Sequence, residues 1–214
     1  MPMSQKPFLL FISFIALLMA CSSPYKNLQL FKGDPGCIQQ FKPVFTSVQY
    51  NTTVDVMGRH ISGVLVIKHM ADSSTRLVFA MKTGFKFFDF AFLPDSGFRV
   101  LYIVEQMDKK AVITTLRKDF ELILFRNTDP EKGTIFGDEH HRYYAFKQEK
   151  GTNYYITDTA CSELIRVEKS SRHKVVVEAM MAGYSAGLPD TIGILHHNFN
   201  FRISLKKLDT HVAR

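Results

Sequence analysis

The chain has 214 residues, of which 46% are hydrophobic and 22% are charged, and its formal net charge is +7. This composition excludes a disordered chain, and the length accommodates a single globular domain with a short leader. The 19 Phe and eight Tyr residues supply ample apolar area for a core, although there is no Trp.

The N-terminal residues are typical of an exported protein. Lys6 is the only charge before an apolar run over residues 8–20, which is shorter than the roughly 20 residues of a membrane-spanning helix. The run ends in the sequence LMAC, which resembles the lipobox of bacterial lipoproteins. We therefore expect residues 1–20 to be a signal peptide and Cys21 to be the lipidated first residue of the mature protein. The alternative is an ordinary thiol at a small-residue cleavage site.

The residue after the lipobox bears on the destination of the protein. Ser22 follows Cys21, with no Asp at this position, which resembles the enterobacterial signal for sorting to the outer membrane. No acidic cluster of the kind that marks surface-exported lipoproteins of some Bacteroidetes follows it. A lipid anchor is stable because each buried methylene contributes about 0.8 kcal/mol. We expect a protein that is lipid-anchored in the outer membrane and faces the periplasm.

The segment after Cys21 is polar and rich in Pro and Gly. Residues 21–43 are therefore predicted to be a lipidated tether, and residues 44–214 to be the folded domain. Cys37 and Cys161 remain in an oxidising compartment, where they could form a disulfide or stay as two unpaired thiols. The sequence leaves both alternatives open.

Strand-like runs separated by short turns predict an antiparallel sheet. The first runs cover residues 45–50, 60–70, 76–83, 85–93 and 99–104. Apolar residues at helical spacing then predict one amphipathic helix over residues 107–125, with a break near Asp119 as an alternative. A polar loop is expected over residues 127–142. The later strands are predicted over residues 143–147, 154–157, 164–168, 174–181, 191–196 and 199–208.

One predicted strand is apolar on both faces. Phe88, Phe90 and Phe92 share one face, while Phe87 and Asp89 lie on the other. We interpret Asp89 as a strand-edge or hydrogen-bonded carboxylate, and a carboxyl group with a raised pKa is the alternative. An antiparallel strand of this kind needs cover on both faces, and one helix can cover only one. We expect either a closed barrel filled by side chains or a cavity for an apolar ligand.

The order of these features resembles a known family. The lipobox, the short tether, the antiparallel strands, a Gly-containing turn within residues 81–87, the mid-chain helix and the strands after Pro189 are similar to the outer-membrane lipoprotein receptors of the LolB family. That family shares its fold with the periplasmic carrier LolA. The resemblance implies an α+β fold in which a strongly curved antiparallel sheet forms an incomplete β-barrel closed by helices. Members of the family commonly have Trp in the early strands, and this chain has none.

The resemblance also implies a function. Such a protein would receive lipoproteins from a LolA-like carrier, bind their acyl chains in its apolar cavity and insert them into the outer membrane. Another lipid is the alternative ligand of the cavity. Gly84 and Phe85 correspond to the exposed turn that would meet the membrane, and the alternative for Phe85 is a place in the apolar strand. The candidates for the cavity lining are Leu65, Ile67, Leu77, Phe79, Met81, Phe88, Phe90, Phe92, Val177 and Met181. Ordinary core packing is the alternative interpretation for each of these residues.

Other chemistry finds little support in the sequence. His140-His141 and His196-His197 are adjacent pairs, whose members point to opposite faces of a strand and so rarely bind one metal ion. No nucleophile elbow, phosphate loop or dinucleotide motif occurs. We expect no catalytic residue, no metal and no cofactor.

The basic residues are distributed along the chain rather than gathered into a nucleic-acid footprint. We therefore expect no nucleic-acid partner. They could meet acidic lipid head groups or an acidic carrier, or could serve only solubility. We expect a monomer. The alternative function is a structural or interaction lipoprotein of the cell envelope with a filled core and no lipid ligand.

Overall fold

The computed structural model describes residues 24–171 and 174–208 of the chain. The predicted signal peptide and Cys21 lie outside these described residues. Within this part of the chain, no helix combines the length and the hydropathy that are needed to cross a bilayer.

The described residues form one antiparallel sheet of 13 strands, which confirms the sheet predicted from the sequence. The strands are β1 (Gln29–Leu30), β2 (Ser47–Val56), β3 (Arg59–His69), β4 (Thr75–Ala80), β5 (Lys86–Phe92), β6 (Phe98–Ile103), β7 (Gly133–Gly137), β8 (His141–Lys147), β9 (Thr152–Asp158), β10 (Leu164–Ser170), β11 (Val175–Ser185), β12 (Leu188–His196) and β13 (Phe201–Lys207). Their order across the sheet is β1-β7-β8-β9-β10-β11-β12-β13-β2-β3-β4-β5-β6. The sheet is therefore open, with β1 and β6 at its edges.

Side-chain alternation gives the sheet two different faces. On β13, Phe201 and Ile203 are buried, whereas Arg202 and Ser204 between and after them are exposed. Successive residues of a strand point to opposite faces, so the buried set defines a core face and the exposed set an outer face. This alternation was predicted for the last strand, and the structure confirms it.

Among residues 24–171 and 174–208, one α-helix, α1, covers part of the core face. It spans Lys110–Ile123 and follows a 3₁₀ turn at Glu105–Met107. The buried residues of α1 include Leu116 and Phe120, which are one turn apart and so form one apolar stripe. The predicted helix is confirmed without a break at Asp119, and it ends before Phe125, whose φ is positive.

One predicted loop proved to be partly strand. Residues 133–137 form β7, which pairs with β8 on one side and with β1 on the other. Gly133 and Gly137 at its ends made this segment look like a loop, and a five-residue strand carries little apolar pattern of its own. Pairing with β8 and with the two-residue strand β1, which lies about 100 residues earlier in the chain, determines the conformation of β7.

The segment predicted as a tether contacts the domain over much of its length. Pro35–Phe41 forms a 3₁₀ helix capped by Asp34, whose side chain accepts a hydrogen bond from the Gly36 amide. Ile38 in this helix is fully buried in the core. Cys37 and Cys161 form a disulfide with a Cα–Cα distance of 6.6 Å. Part of the segment before Val44, above all the 3₁₀ helix with Ile38 and Cys37, is thus packed against the domain.

The outer face of β5 is covered by long polar side chains. Asp89 is buried there, and its carboxylate accepts hydrogen bonds from Arg76 Nε at 2.7 Å and Arg76 Nη2 at 2.6 Å. Lys86 Nζ lies 3.2 Å from the same carboxylate. Burial by itself would raise the pKa of Asp89, but these donors outweigh it and hold the pKa below its ordinary value. The side chains of Arg76 and Lys86 therefore cover the outer face of β5, which needs no second sheet or helix packed on it.

Candidate functional site

Most of the residues predicted to line a cavity lie together on the core face. All of them except Met81 belong to one buried hydrophobic cluster. The side chains of these residues pack against one another and against α1 in this structure. Met81, in contrast, is exposed at the end of the β4–β5 hairpin. The buried members are Leu65, Ile67, Leu77, Phe79, Phe88, Phe90, Phe92, Val177 and Met181.

Strand register explains why residues from distant positions meet on this face. Leu65 on β3 lies opposite Phe79 on β4, and Phe79 lies opposite Phe88 on β5. In the neighbouring row, Leu77 lies between Ile67 and Phe90 in the same way. Directly opposed side chains are about 5 Å apart, so the two rows form a continuous apolar surface across three strands.

Phenylalanine rings fill the space between this surface and α1. The rings of Phe88 and Phe90 stack with centroids 4.4 Å apart, and the Phe79 centroid lies 5.7 Å from that of Phe88. The Phe120 ring on α1 contacts Phe88 with a centroid distance of 5.8 Å. The helix therefore covers the aromatic part of the sheet, and an acyl chain could reach these residues only if α1 moved.

A buried polar pair also joins α1 to the sheet. Asp119 Oδ2 lies 2.9 Å from His196 Nε2 on β12, and both residues are buried. Burial raises the pKa of Asp119, and the nearby His196 opposes this effect only in part. In the sequence, His196 was a weak candidate for metal binding, and no local pattern linked it to Asp119. The position of Asp119 on the apolar stripe of α1, one residue before Phe120, was the available signal.

One further hydrogen bond holds the helix, and a buried lysine lies close to it. The Tyr155 hydroxyl on β9 donates to the Leu122 carbonyl near the end of α1 at 3.0 Å. Lys169 on β10 lies near Asp119 and Lys118, and burial lowers its pKa to about 8, with the charge of Lys118 adding to the effect. The helix is thus held by a few polar contacts and one apolar stripe.

A second feature is an open cavity of about 960 Å³ beside β2, β3, β12, β13 and the β4–β5 hairpin. Many of its lining residues occupy alternate positions that face away from the core. These outer-face residues are Asn51, Thr53, Ser62, Thr191, Ser204 and Lys206. At one end the lining becomes apolar, with Ile61, Met81 and Phe87. Met81 is the residue that the predicted lining and this cavity share, and the polar residues were missed by the sequence analysis.

The predicted membrane-contacting turn lies next to this cavity. Gly84 has φ +93°, a conformation that glycine adopts at no steric cost, and its amide donates to the Met81 carbonyl at 2.9 Å. Phe85 is 48% exposed and packs edge-on against Phe87. The tip of this hairpin therefore presents two apolar side chains, Met81 and Phe85, to solvent.

The first described residues pack on the outer face of the sheet. The Tyr25 ring stacks on Tyr154 with centroids 4.0 Å apart, and its hydroxyl donates to the buried Glu168 carboxylate. Arg166 Nε contacts the other oxygen of Glu168 at 2.5 Å. Tyr25 and Tyr154 also line a smaller polar cavity of about 340 Å³. The chain thus leaves the described domain from the outer face of β8, β9 and β10.

The histidine pairs do not assemble a metal site in the described part of the chain. His140 and His141 have ring centroids 6.3 Å apart, and His141 Nδ1 lies 3.7 Å from Asp138 Oδ1. Across residues 24–171 and 174–208, no group of three His, Cys, Asp or Glu side chains is placed to bind one ion.

Comparison with known proteins gives a structural result only. No protein-family model matches the sequence, and no match was found among the curated proteins. A LolA superfamily protein from Nitrosomonas europaea is similar in structure, with a TM-score of 0.50 and 8% identity over 84% of this chain and 93% of that chain.

Two other solved structures show weaker similarity. A DUF1329 family protein from Desulfovibrio piger has a TM-score of 0.45 and 10% identity over 82% of this chain and 88% of that chain. A domain from Vibrio parahaemolyticus, described as an outer membrane lipoprotein-sorting protein, has a TM-score of 0.46 and 9% identity over 82% of this chain and 90% of that chain. The fold expected from the resemblance is confirmed, since this chain is similar in fold to a LolA superfamily protein.

Proposed function

We propose that the domain binds acyl chains between the core face of the sheet and α1. The observation that carries the proposal is the aromatic and aliphatic surface beneath α1, which few polar contacts join to the sheet. These contacts include the buried pair of Asp119 and His196 and the hydrogen bond from Tyr155 to the Leu122 carbonyl. A 14-residue helix held in this way can separate from the sheet without unfolding it. The apolar rows that contain Phe88 and Phe90 would then contact the acyl chain of the lipid.

The energetics favour exchange rather than tight storage. Each methylene removed from water contributes about 0.8 kcal/mol, in a protein interior as in a bilayer. The direction of transfer then depends on the small difference between two large favourable terms, which include the cost of moving α1. Such a protein transfers a lipid without a catalytic step or an energy-rich cofactor.

The finer proposal concerns cargo and place. The domain would receive lipoproteins from a LolA-like periplasmic carrier and insert them into the outer membrane, to which Cys21 would anchor it. Met81 and Phe85 would contact the membrane because they are the exposed apolar residues of the β4–β5 hairpin. Support comes from the lipobox, from this hairpin and from the shared fold.

A tryptophan reporter tests the binding site directly. The natural chain has no Trp, so a Phe120→Trp variant carries one Trp fluorophore, on the buried side of α1 that faces the sheet. A lipopeptide with brominated acyl chains should quench this emission upon binding, because bromine quenches only at contact distance. Tyr102→Trp is the matched control, since Tyr102 lies on the outer face of β6, opposite Asp89. We expect quenching in Phe120→Trp and little in Tyr102→Trp.

The same experiment separates this proposal from a second one. The buried cluster is filled by its own side chains, which also suits a structural or interaction lipoprotein with no lipid ligand. Equal quenching at both positions, or none at either, would contradict binding beneath α1. The absence of quenching with a lipopeptide presented by a loaded carrier would favour the structural alternative.

A further inference from the structure

We propose that the open cavity over β2, β3, β12 and β13 binds a phosphate-bearing anion. Lys82 and Lys206 line this cavity together with a group of hydroxyl side chains. The hydroxyls lie on the outer face of the sheet, opposite the buried aromatic surface. This site is therefore distinct from the acyl-chain site beneath α1 and does not depend on it.

Strand register places the hydroxyl groups side by side. Ser204 on β13 lies opposite Thr53 on β2, and Thr53 lies opposite Ser62 on β3. Neighbouring strands are about 4.8 Å apart, so these three side chains form a short row. In the next row of the same face, Lys206 lies between Thr191 and Asn51. The two rows present hydroxyl, amide and ammonium donors to one volume.

Space for a ligand exists above these rows. Gly193 lies opposite Ser204, and a Cβ added to Gly193 would meet no heavy atom within 4 Å. The cavity volume of about 960 Å³ exceeds what a phosphate group alone would occupy. The remaining room extends toward Met81 and Phe87, which would suit an apolar part of the same ligand.

The donors of this cavity are free to bind a ligand. In residues 24–171 and 174–208, the side chains of Thr53, Ser62 and Ser204 make no hydrogen bond to protein, and the same is true of Lys82 and Lys206. Hydroxyl and ammonium groups in this arrangement can donate to several oxygens of one tetrahedral anion.

The charge around the cavity selects an anion. Among the described residues, the cavity lining contains no Asp or Glu. The nearby Asp55 is paired with His60, whose Nδ1 lies 2.6 Å from Asp55 Oδ1. Lys82 and Lys206 are therefore not neutralised by a carboxylate within the lining. A phosphate group fits this donor set, whether it belongs to a lipid head group or to a soluble phosphate ester.

Titration of the purified protein with defined probes tests the proposal. The probes are inorganic phosphate, glycerol phosphate, phosphatidylglycerol vesicles and, as a neutral surface, phosphatidylcholine vesicles. Binding is followed by calorimetry or flotation, and by the amide signals of Gly193 and Thr53 in nuclear magnetic resonance spectra. Saturable binding of the soluble phosphates would identify a phosphate-ester site. Binding of phosphatidylglycerol vesicles alone would identify a lipid head group as the ligand.

Charge-matched variants distinguish a built site from general attraction. We expect the double variant Lys82→Gln/Lys206→Gln to bind the phosphate probes about tenfold more weakly than the natural protein. Each of the two substitutions removes one charge-assisted hydrogen bond. Lys68→Gln/Lys174→Gln removes the same charge from positions outside the lining and should bind like the natural protein. A membrane anchor would be the same in both double variants, so it would not contribute to the difference between their affinities. The proposal is overturned if no phosphate probe binds, if the Gly193 signal does not move, or if both double variants lose the same affinity.

Discussion

Asp119 on α1 and His196 on β12 are 77 residues apart in the sequence, yet their side chains meet at 2.9 Å within the protein interior. His196 is also enclosed by Phe199 and Phe201, whose ring centroids lie 4.7 and 4.9 Å from its own. The pair therefore connects the helix to the sheet in apolar surroundings. Any motion of α1 away from β12 must separate these two groups.

Removal of one partner should destabilise the protein more than removal of both. We expect His196→Leu to lower the free energy of unfolding by about 3 kcal/mol, because it leaves Asp119 buried without its partner. Asp119→Leu/His196→Leu should recover much of this loss, since no buried polar group remains unpaired. Urea denaturation followed by circular dichroism measures both. A double variant less stable than His196→Leu would contradict this view of the pair.

Lys169 should make stability depend on pH in the alkaline range. Its pKa in the folded protein is about 8, against an ordinary value of 10.5. Between these values the unfolded chain binds more protons, so the free energy of unfolding should rise with pH. Denaturation at pH 8.0, 8.75 and 9.5 should show this rise. In Lys169→Met the rise should be smaller, whereas Lys68→Met, which changes an exposed lysine, should leave it unaltered.

The bond between Cys37 and Cys161 should contribute substantially to stability. It closes a loop with a sequence separation of 124 residues, and the chain entropy that this removes from the unfolded state corresponds to about 5 kcal/mol. We expect Cys37→Ser/Cys161→Ser to melt at a lower temperature than the natural protein. Reductant should lower the melting temperature of the natural protein and leave that of the double variant unchanged. Identical melting with and without reductant would show that this bond is not made.

Gly63 and Gly193 offer a matched pair of substitutions on two strands beside the same cavity. A Cβ at Gly63 would lie 2.4 Å from the Ala80 carbonyl oxygen, whereas a Cβ at Gly193 would meet nothing within 4 Å. We expect Gly63→Ala to destabilise the protein by about 1 to 3 kcal/mol through displacement of β4. Gly193→Ala should have little effect. Chemical denaturation of both measures the difference, and equal effects would argue against the close contact of β3 and β4 at this point.

Much of the secondary structure could be predicted from the local sequence pattern. The alternation of Phe201, Ile203 and Leu205 predicted β13 and its buried face, and the spacing of Leu116 and Phe120 predicted α1. These elements carry their own periodic signal because each has one apolar and one polar side. The segment 133–137 has no such signal, and its identity as β7 depends on strands that pair with it.

The candidate sites were accessible only in part. The apolar residues beneath α1 were identified from composition and alternation, since burial follows from hydrophobicity. Their packing against one another, and the pairing of Asp119 with His196, depend on where α1 lies on the sheet. In the sequence, Thr53, Ser62 and Ser204 are typical of the solvent-exposed faces of three separate strands. Only the register between β13, β2 and β3 brings them together.

Local sequence pattern predicted the antiparallel strands, the helix found in the described part of the chain and the apolar identity of the core, while the signal peptide stays a prediction. Each of these depends on properties that neighbouring residues display within a few positions of one another. The tertiary structure decided the closure of α1 over the phenylalanines, the burial of Ile38 in the N-terminal segment and the grouping of Lys82 with Lys206. Those relationships join residues far apart in the chain, and strand order and register, which local pattern does not encode, create them.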